Sequence, residues 1–205
     1  MKQLFLTVFI SVVSCLFLQA QHFEGGVLGG LNASQVDGDT HSGYNKPGIL
    51  AGGFVQLNLN PRLFAGMELR FSQEGSRKNP NPRYSDDRQK YIMRLSYAEM
   101  PLYLGYRTNE KTSVLAGLSS GYLISGTEYD NYGKFVREDQ HPFKEFDFQG
   151  MLGFRVQLNS RLMVDLRGAY SILPIREAPV KAMWSWKHNQ HNNLLSTTIL
   201  YRLDF

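Results

Sequence analysis

The chain has 205 residues, of which 42% are hydrophobic and 13% aromatic, and its formal net charge is +4 at pH 7. This length suits a single domain, and the charge is not gathered in one run, which argues against a nucleic-acid-binding protein. The mean hydropathy of −0.30 and a single long apolar run exclude a helical membrane protein. They do not exclude a membrane β-barrel, because its strands alternate lipid-facing and lumen-facing residues and so average to near-neutral hydropathy.

The first twenty residues have the features of a secretory signal peptide. A lysine near the start precedes the apolar run 4–18, and Ala20 supplies a small residue for cleavage. The run is shorter than the roughly twenty residues that span a bilayer. The single cysteine, Cys15, interrupts the run instead of ending it, which disfavours a lipid anchor. We therefore expect residues 1–20 to be removed, leaving a barrel domain without disulfides over residues 21–205.

Eight later stretches of the chain alternate apolar and polar residues. A period of two residues predicts β-strands, because successive side chains of a strand point to opposite faces. One face of each stretch is apolar and nearly free of charge, whereas the other face carries charges of both signs that can pair. The predicted strands cover residues 25–35, 48–59, 62–74, 91–107, 112–125, 145–158, 161–173 and 194–205.

Short and long connections alternate along these strands, which places all short turns at one end and all long loops at the other. This layout predicts an all-β, eight-stranded antiparallel up-and-down transmembrane β-barrel with short periplasmic turns and four long extracellular loops. A soluble up-and-down barrel shares the layout but would bury its apolar face, and the charge-free apolar faces favour the membrane. The short turns lie at 60–61, 108–111 and 159–160, and the long loops at 36–47, 75–90, 126–144 and 174–193.

The last predicted strand closes the chain with an aromatic residue, as the closing strand of an outer-membrane barrel does. Tyr201, Leu203 and Phe205 share its apolar face, and Arg202 lies on the opposite face. The fourth strand contains Pro101, which removes a hydrogen bond from the sheet. Because the apolar parity also changes in this strand, we expect a β-bulge around residues 98–101.

The stretch from Leu95 to Tyr106, LSYAEMPLYLGY, contains the pattern YxExPLxxxY. It resembles the small outer-membrane β-barrel proteins of Bacteroidota that are called PorT-like or porin-family proteins. The resemblance in layout extends over the whole chain after the signal peptide, whereas the specific motif covers only the fourth strand. It implies an eight-stranded barrel in the cell outer membrane, in a family mostly without an assigned biochemical function.

The inward face is expected to hold a network of charges. The lumen of an eight-stranded barrel is just wide enough for side chains to fill it, and an unpaired buried charge costs several kcal/mol. We therefore expect a polar plug that sets barrel stability, and a narrow gated path for solutes is the alternative. The expected lumen residues are Glu68, Arg70, Glu99, Asp147, Arg155, Asp165, Arg167 and Arg202.

Catalytic, metal and cofactor sites are not expected. No histidine stands beside a serine and an acid at strand spacing, so a lipid-modifying enzyme is the least favoured function. His188 and His191 lack a third ligand for a metal, and residues 37–39 are interpreted as a turn and not as a calcium loop. The five histidines are His22, His41, His141, His188 and His191.

The predicted loops are the expected working surface. The second long loop is basic, which suits the phosphates of lipopolysaccharide at the membrane surface. Trp184 and Trp186 in the fourth loop are expected to lie in the membrane interface or, alternatively, to anchor a protein partner. The basic residues of the second loop are Arg77, Lys78, Arg83, Arg88 and Lys90.

The sequence therefore predicts a non-enzymatic structural or interaction protein, such as an accessory subunit of an outer-membrane secretion or assembly complex. A small narrow porin is the alternative. The expected partners are outer-membrane lipid and lipopolysaccharide, the barrel assembly machinery during insertion, and an envelope protein bound through the loops, with no nucleic acid and no cofactor.

Overall fold

The computed structural model of the protein describes residues 23–39, 43–78, 90–131, 133–134, 142–177 and 189–203. The predicted signal peptide, its cleavage after Ala20, and the terminal Phe205 lie outside these residues. Within them, no helix is long and apolar enough to cross a membrane.

Eight long antiparallel strands form the fold, and two strands of two residues each extend it at one end. The predicted all-β class and the up-and-down order are confirmed. The long strands are β1 (Phe23–Asp37), β2 (Lys46–Asn58), β3 (Leu63–Lys78), β4 (Tyr91–Arg107), β5 (Thr112–Asp130), β7 (Phe146–Gln157), β8 (Leu162–Ser171) and β10 (Asn189–Leu203), and the short strands are β6 (Gly133–Lys134) and β9 (Arg176–Glu177).

The eight long strands close into a ring. Each long strand pairs with the next long strand along the chain, and β1 also pairs with β10, where Leu28 lies opposite Leu200. β6 pairs with β5, and β9 pairs with β10. The ring leaves no open edge among its eight strands, so each strand has a neighbour on both sides with which its backbone can form hydrogen bonds without water, as lipid requires.

The wall of the ring is apolar outside and polar inside. On neighbouring positions of β3, Leu69 is 68% exposed whereas Glu68 is 1% exposed. On β8, Leu166 is 57% exposed and Asp165 is fully buried. A soluble barrel would show the opposite arrangement, so the exposed apolar face is the lipid-facing surface of a membrane barrel.

The three short turns share one construction. Each contains an asparagine as the second of the four residues between its strands, namely Asn60, Asn109 or Asn159, whose side-chain oxygen accepts two backbone N–H groups at 2.7 to 2.9 Å. Asparagine favours turns because its side chain can satisfy nearby backbone donors in this way. The predicted tight hairpins are therefore present at all three positions.

The β-bulge predicted around residues 98–101 is wrong. Burial alternates without a break along β4, where Tyr97, Glu99 and Pro101 are all on the inner face. The extra residue lies in β5 instead: Ser96 pairs with Ser125 and Tyr97 pairs with Leu123, so one residue of β5 has no partner. The parity of apolar residues changes along β4 because the outer part of the lumen is itself apolar.

Pro101 is accommodated by a gap in the pairing between β3 and β4. Met67 pairs with Leu102 and Arg70 pairs with Glu99, while the two residues between them on each strand are not paired. The register is the same on both sides of the gap. A missing N–H therefore interrupts this ladder locally without shifting it.

Glycines at the β1–β10 seam allow a close approach of the two backbones. A Cβ atom added to Gly30 would lie 2.1 Å from the carbonyl oxygen of Thr197, whereas one added to Gly29 would lie 4.0 Å from its nearest neighbour. We predict that Gly30→Ala lowers the free energy of unfolding by about 1–3 kcal/mol through overpacking, and that Gly29→Ala changes it little. Urea unfolding of both variants in lipid vesicles measures the difference, and equal midpoints would contradict the strained approach at Gly30.

Candidate functional site

A buried pair between Arg155 of β7 and Asp165 of β8 lies at the centre of the lumen. The Nε and Nη2 atoms of Arg155 donate to the two carboxylate oxygens of Asp165 at 2.6 and 2.8 Å. The same guanidinium also donates to Gln56 at 2.8 Å and to the hydroxyl of Tyr103 at 3.0 Å. This bidentate geometry is the strongest form of a carboxylate–guanidinium contact.

The pair continues into a chain of alternating charges across the barrel. Arg167 binds both Asp165 and Glu68, so it bridges β8 to β3 across the lumen. Arg70 donates to Glu68 at 3.3 Å and to Glu99 of β4 at 2.7 Å. Six charged side chains from four strands therefore form one continuous buried chain: Arg155, Asp165, Arg167, Glu68, Arg70 and Glu99.

The two other residues predicted for the lumen network lie outside this chain. Asp147 is buried, but it accepts hydrogen bonds from Gln149, Ser171 and Asn192 at 2.8 to 3.0 Å instead of pairing with a cation. Arg202 lies at the turn end of the barrel, is partly exposed, and pairs with Glu24 at 2.9 Å.

Glu74 is a buried lumen carboxylate that is not among the residues predicted for the network. Ser72 and Gln149 donate hydrogen bonds to it at 3.2 and 3.3 Å. The inward position of Glu74 could have been predicted, because Glu74 lies on the same face of the third strand as Glu68 and Arg70. With Glu74, the central lumen of the described strands holds five carboxylates against three guanidiniums, so amide and hydroxyl donors complete the pairing.

The outer part of the lumen is closed by an apolar cluster. Ile175 and Phe143 come from the connections beyond the strands; Ile175 is a buried member of the cluster, and Phe143 packs against it. Backbone hydrogen bonds hold this segment inward, from Lys144 N–H to the Ile175 carbonyl and from Ile175 N–H to the Gln190 carbonyl. The buried members are Val36, Met93, Leu95, Tyr97 and Ile175.

Arg176 covers the apolar cluster from the outer side. Its guanidinium donates to the two carboxylate oxygens of Glu128 at 2.8 and 2.9 Å, to Gln190 at 2.9 Å, and lies 4.2 Å from the centre of the Phe143 ring. The extra residue in β5 turns Glu128 inward, where it also bonds to Tyr91. Arg176 falls in a predicted loop without periodicity, so no sequence pattern indicated this contact.

The histidine that the structure describes makes structural contacts. The Nδ1 atom of His191 is 3.0 Å from the Ser171 carbonyl oxygen, and its ring stacks on Tyr170. No cluster of three metal-ligating side chains occurs among the described residues. Outside those residues lie His22, His41, His141, His188, Arg83, Arg88, Trp184 and Trp186.

The closed ring, the apolar outer wall and the charged, filled interior define an outer-membrane β-barrel. The family model described as "Outer membrane protein beta-barrel domain" matches residues 19–177, more than half of the chain. The protein therefore belongs to this family, and it is located in the outer membrane. Comparison with curated protein sequences gives no significant match.

Solved outer-membrane barrels have a similar fold. Ail, the attachment invasion locus protein of Yersinia pestis, is 14% identical with a TM-score of 0.50, covering 88% of this chain and 98% of Ail. Ail bound to the heparin analogue sucrose octasulfate is 12% identical with a TM-score of 0.50, covering 89% and 99%. Neisserial surface protein A is 10% identical with a TM-score of 0.49, covering 91% and 100%. At these identities the likeness to Ail concerns the fold alone.

The ion chain predicts a large stability effect for one of its central members. Arg167→Leu would leave two buried carboxylates without their shared cation, and we expect a loss of about 3–5 kcal/mol in the free energy of unfolding. The control Arg202→Leu removes a partly exposed pair at the turn end and should cost about 1 kcal/mol or less. Urea unfolding followed by circular dichroism measures both. A similar cost for the two variants would show that the buried chain does not stabilise the barrel.

Proposed function

We propose that this protein is a non-enzymatic structural or interaction protein, with the barrel as a rigid scaffold and the outer connections as its working surface. The observation that carries the proposal is the filled lumen: a continuous ion chain lies beneath an apolar cluster that Arg176 covers. A solute would have to displace both layers in order to pass.

The motif that suggests the PorT-like proteins of Bacteroidota supports the scaffold part of this proposal. Glu99 pairs with Arg70 in the ion chain, and Tyr97 packs in the apolar cluster. Leu102 and Tyr106 face the lipid side of the wall. The residues of the motif therefore stabilise the barrel wall and the side chains that fill the lumen. The specific function would then be carried by the loops.

Within this proposal, the protein serves as an accessory subunit of an outer-membrane secretion or assembly complex. A scaffold without its own passage or catalytic group acts by holding partners, and the loops are the part of the fold that can vary freely. An envelope protein would bind through these loops, with Trp184 and Trp186 as membrane-interface or partner anchors. The barrel assembly machinery and outer-membrane lipid are the other partners that insertion implies.

Conductance separates the scaffold from a narrow porin. In planar bilayers we expect no single-channel steps from the purified protein, because side chains occupy the lumen in two layers. A known porin, inserted under the same conditions, is the positive control. Reproducible steps whose number follows the amount of protein inserted would favour the porin and overturn the scaffold proposal.

Co-purification tests the accessory-subunit part. Extraction from outer membranes in mild detergent, followed by mass spectrometry, should recover a partner at a fixed stoichiometry. The comparison is with a variant in which a glycine–serine linker of equal length replaces residues 178–188. This variant should lose the partner while remaining folded. Elution of the wild type alone, as a monomer whose electrophoretic migration changes on heating, would contradict a stable complex.

A further inference from the structure

A cavity of about 530 Å³ lies on the outer wall of the barrel, near the loop end of β3, β4 and β5. Three basic side chains line it: Lys46, Arg77 and Arg94. The cavity is outside the lumen, so it is independent of whether the barrel conducts. The remaining polar lining consists of Gln73, Ser96, Ser125, Thr127 and Tyr129.

The register of the three strands places this cavity at the edge of the lipid-facing band. On the outer face of β3, apolar residues run from Leu63 to Phe71, which matches the about 9–11 residues of a membrane-spanning strand. The last apolar row joins Phe71, Ala98 and Tyr122. The next row toward the loops joins Gln73, Ser96 and Ser125, and it already lines the cavity.

Two departures from regular strand geometry form the cavity. Gly75 has a φ of +128°, and a Cβ atom there would lie 2.2 Å from the Met93 carbonyl oxygen. Gly75 pairs with Arg94. Because glycine has no side chain, the outer face of β3 is open between Gln73 and Arg77.

The bulge in β5 supplies the hydroxyl groups on the other side of the cavity. Because one residue of β5 is unpaired at Ile124, the facing of the strand reverses beyond it. Glu128 therefore points into the lumen, and Ser125 and Thr127 line the outer cavity. A single extra residue thus removes a carboxylate from this surface and adds two hydroxyl groups to it.

The basic groups of the cavity lack acidic partners among the described residues. The Nε atom of Arg77 is buried without a hydrogen-bond partner, and the guanidinium of Arg94 lies 5.2 Å from the centre of the Tyr129 ring. The ammonium group of Lys46 donates to the Pro47 carbonyl oxygen at 2.8 Å. Burial lowers the pKa of Lys46, which lies beyond the apolar band, and the charges of Arg94 and Arg77 lower it further. An anion in the cavity would relieve this repulsion.

We propose that this cavity binds a phosphate group of an outer-leaflet glycolipid such as lipopolysaccharide. Guanidinium and ammonium groups are the usual protein ligands of phosphate, and arginine binds it through two parallel hydrogen bonds. The position selects the lipid as the source, because a head group at this height would place its acyl chains on the apolar rows directly below. Lys46, Arg77 and Arg94 hold the phosphate, and Ser96, Ser125 and Thr127 offer hydrogen bonds to it or to the adjoining sugar.

Native mass spectrometry of the full-length mature barrel with phosphorylated lipid A tests the site. The double variant Arg77→Gln/Arg94→Gln removes two charges from an outward surface, and we expect its lipid A binding to be about 10-fold weaker or more, since charge-assisted contacts are lost. The matched control is Arg62→Gln/Lys111→Gln, which removes the same charge from the exposed turns at the opposite end of the barrel. This control should bind as the wild type does.

Two further arms identify the ligand. Dephosphorylated lipid A should bind the wild type as weakly as phosphorylated lipid A binds the double variant. If the double variant and its control bind lipid A equally, the proposed site is wrong. It is also wrong if the wild type binds dephosphorylated lipid A as strongly as it binds phosphorylated lipid A. Binding of inorganic phosphate in place of lipid A would overturn the lipid source. Heat-dependent electrophoretic migration, measured first, shows that both variants are folded barrels.

Discussion

The rest of the structure depends on the closure of the strand ring in a solvent that offers the backbone no hydrogen bonds. In lipid, each unpaired backbone group costs several kcal/mol, so the seam between β1 and β10 has to close. Closure gives every strand one lipid face and one lumen face. It also limits the interior of eight strands to the width of side chains, which makes the content of the lumen a packing problem.

The side chains that fill the lumen are arranged in two layers, an ion chain and an apolar cluster. Arginines of β3, β7 and β8 share their carboxylates across the barrel, so no member of the central chain is left without an opposite charge. The apolar cluster around Met93 and Leu95 then separates the chain from the outer end. Because the interior is occupied by structural contacts, the surfaces that remain for recognition are the loops and the outer wall, where Arg77 and Arg94 lie.

The periodicity of the sequence was sufficient for most of the fold. The fourth strand was predicted over the same residues that β4 occupies, and the three short turns were predicted from connections that each contain an asparagine. Parity placed eight charged residues on the inner face, and six of them form the central ion chain. Parity failed where the environment of the inner face changes from polar to apolar, because Met93, Leu95 and Tyr97 then look like lipid-facing residues.

The sequence by itself determined which residues alternate, that the ring has eight long strands, and which connections are short, because these properties are local and have a fixed period. Only the tertiary structure decided the partners. The bond between Arg167 and Glu68 joins residues 99 positions apart, and the contact of Arg176 with Glu128 depends on an extra residue in β5. Such contacts arise from the closure and register of the whole ring, and no local pattern in the chain encodes them.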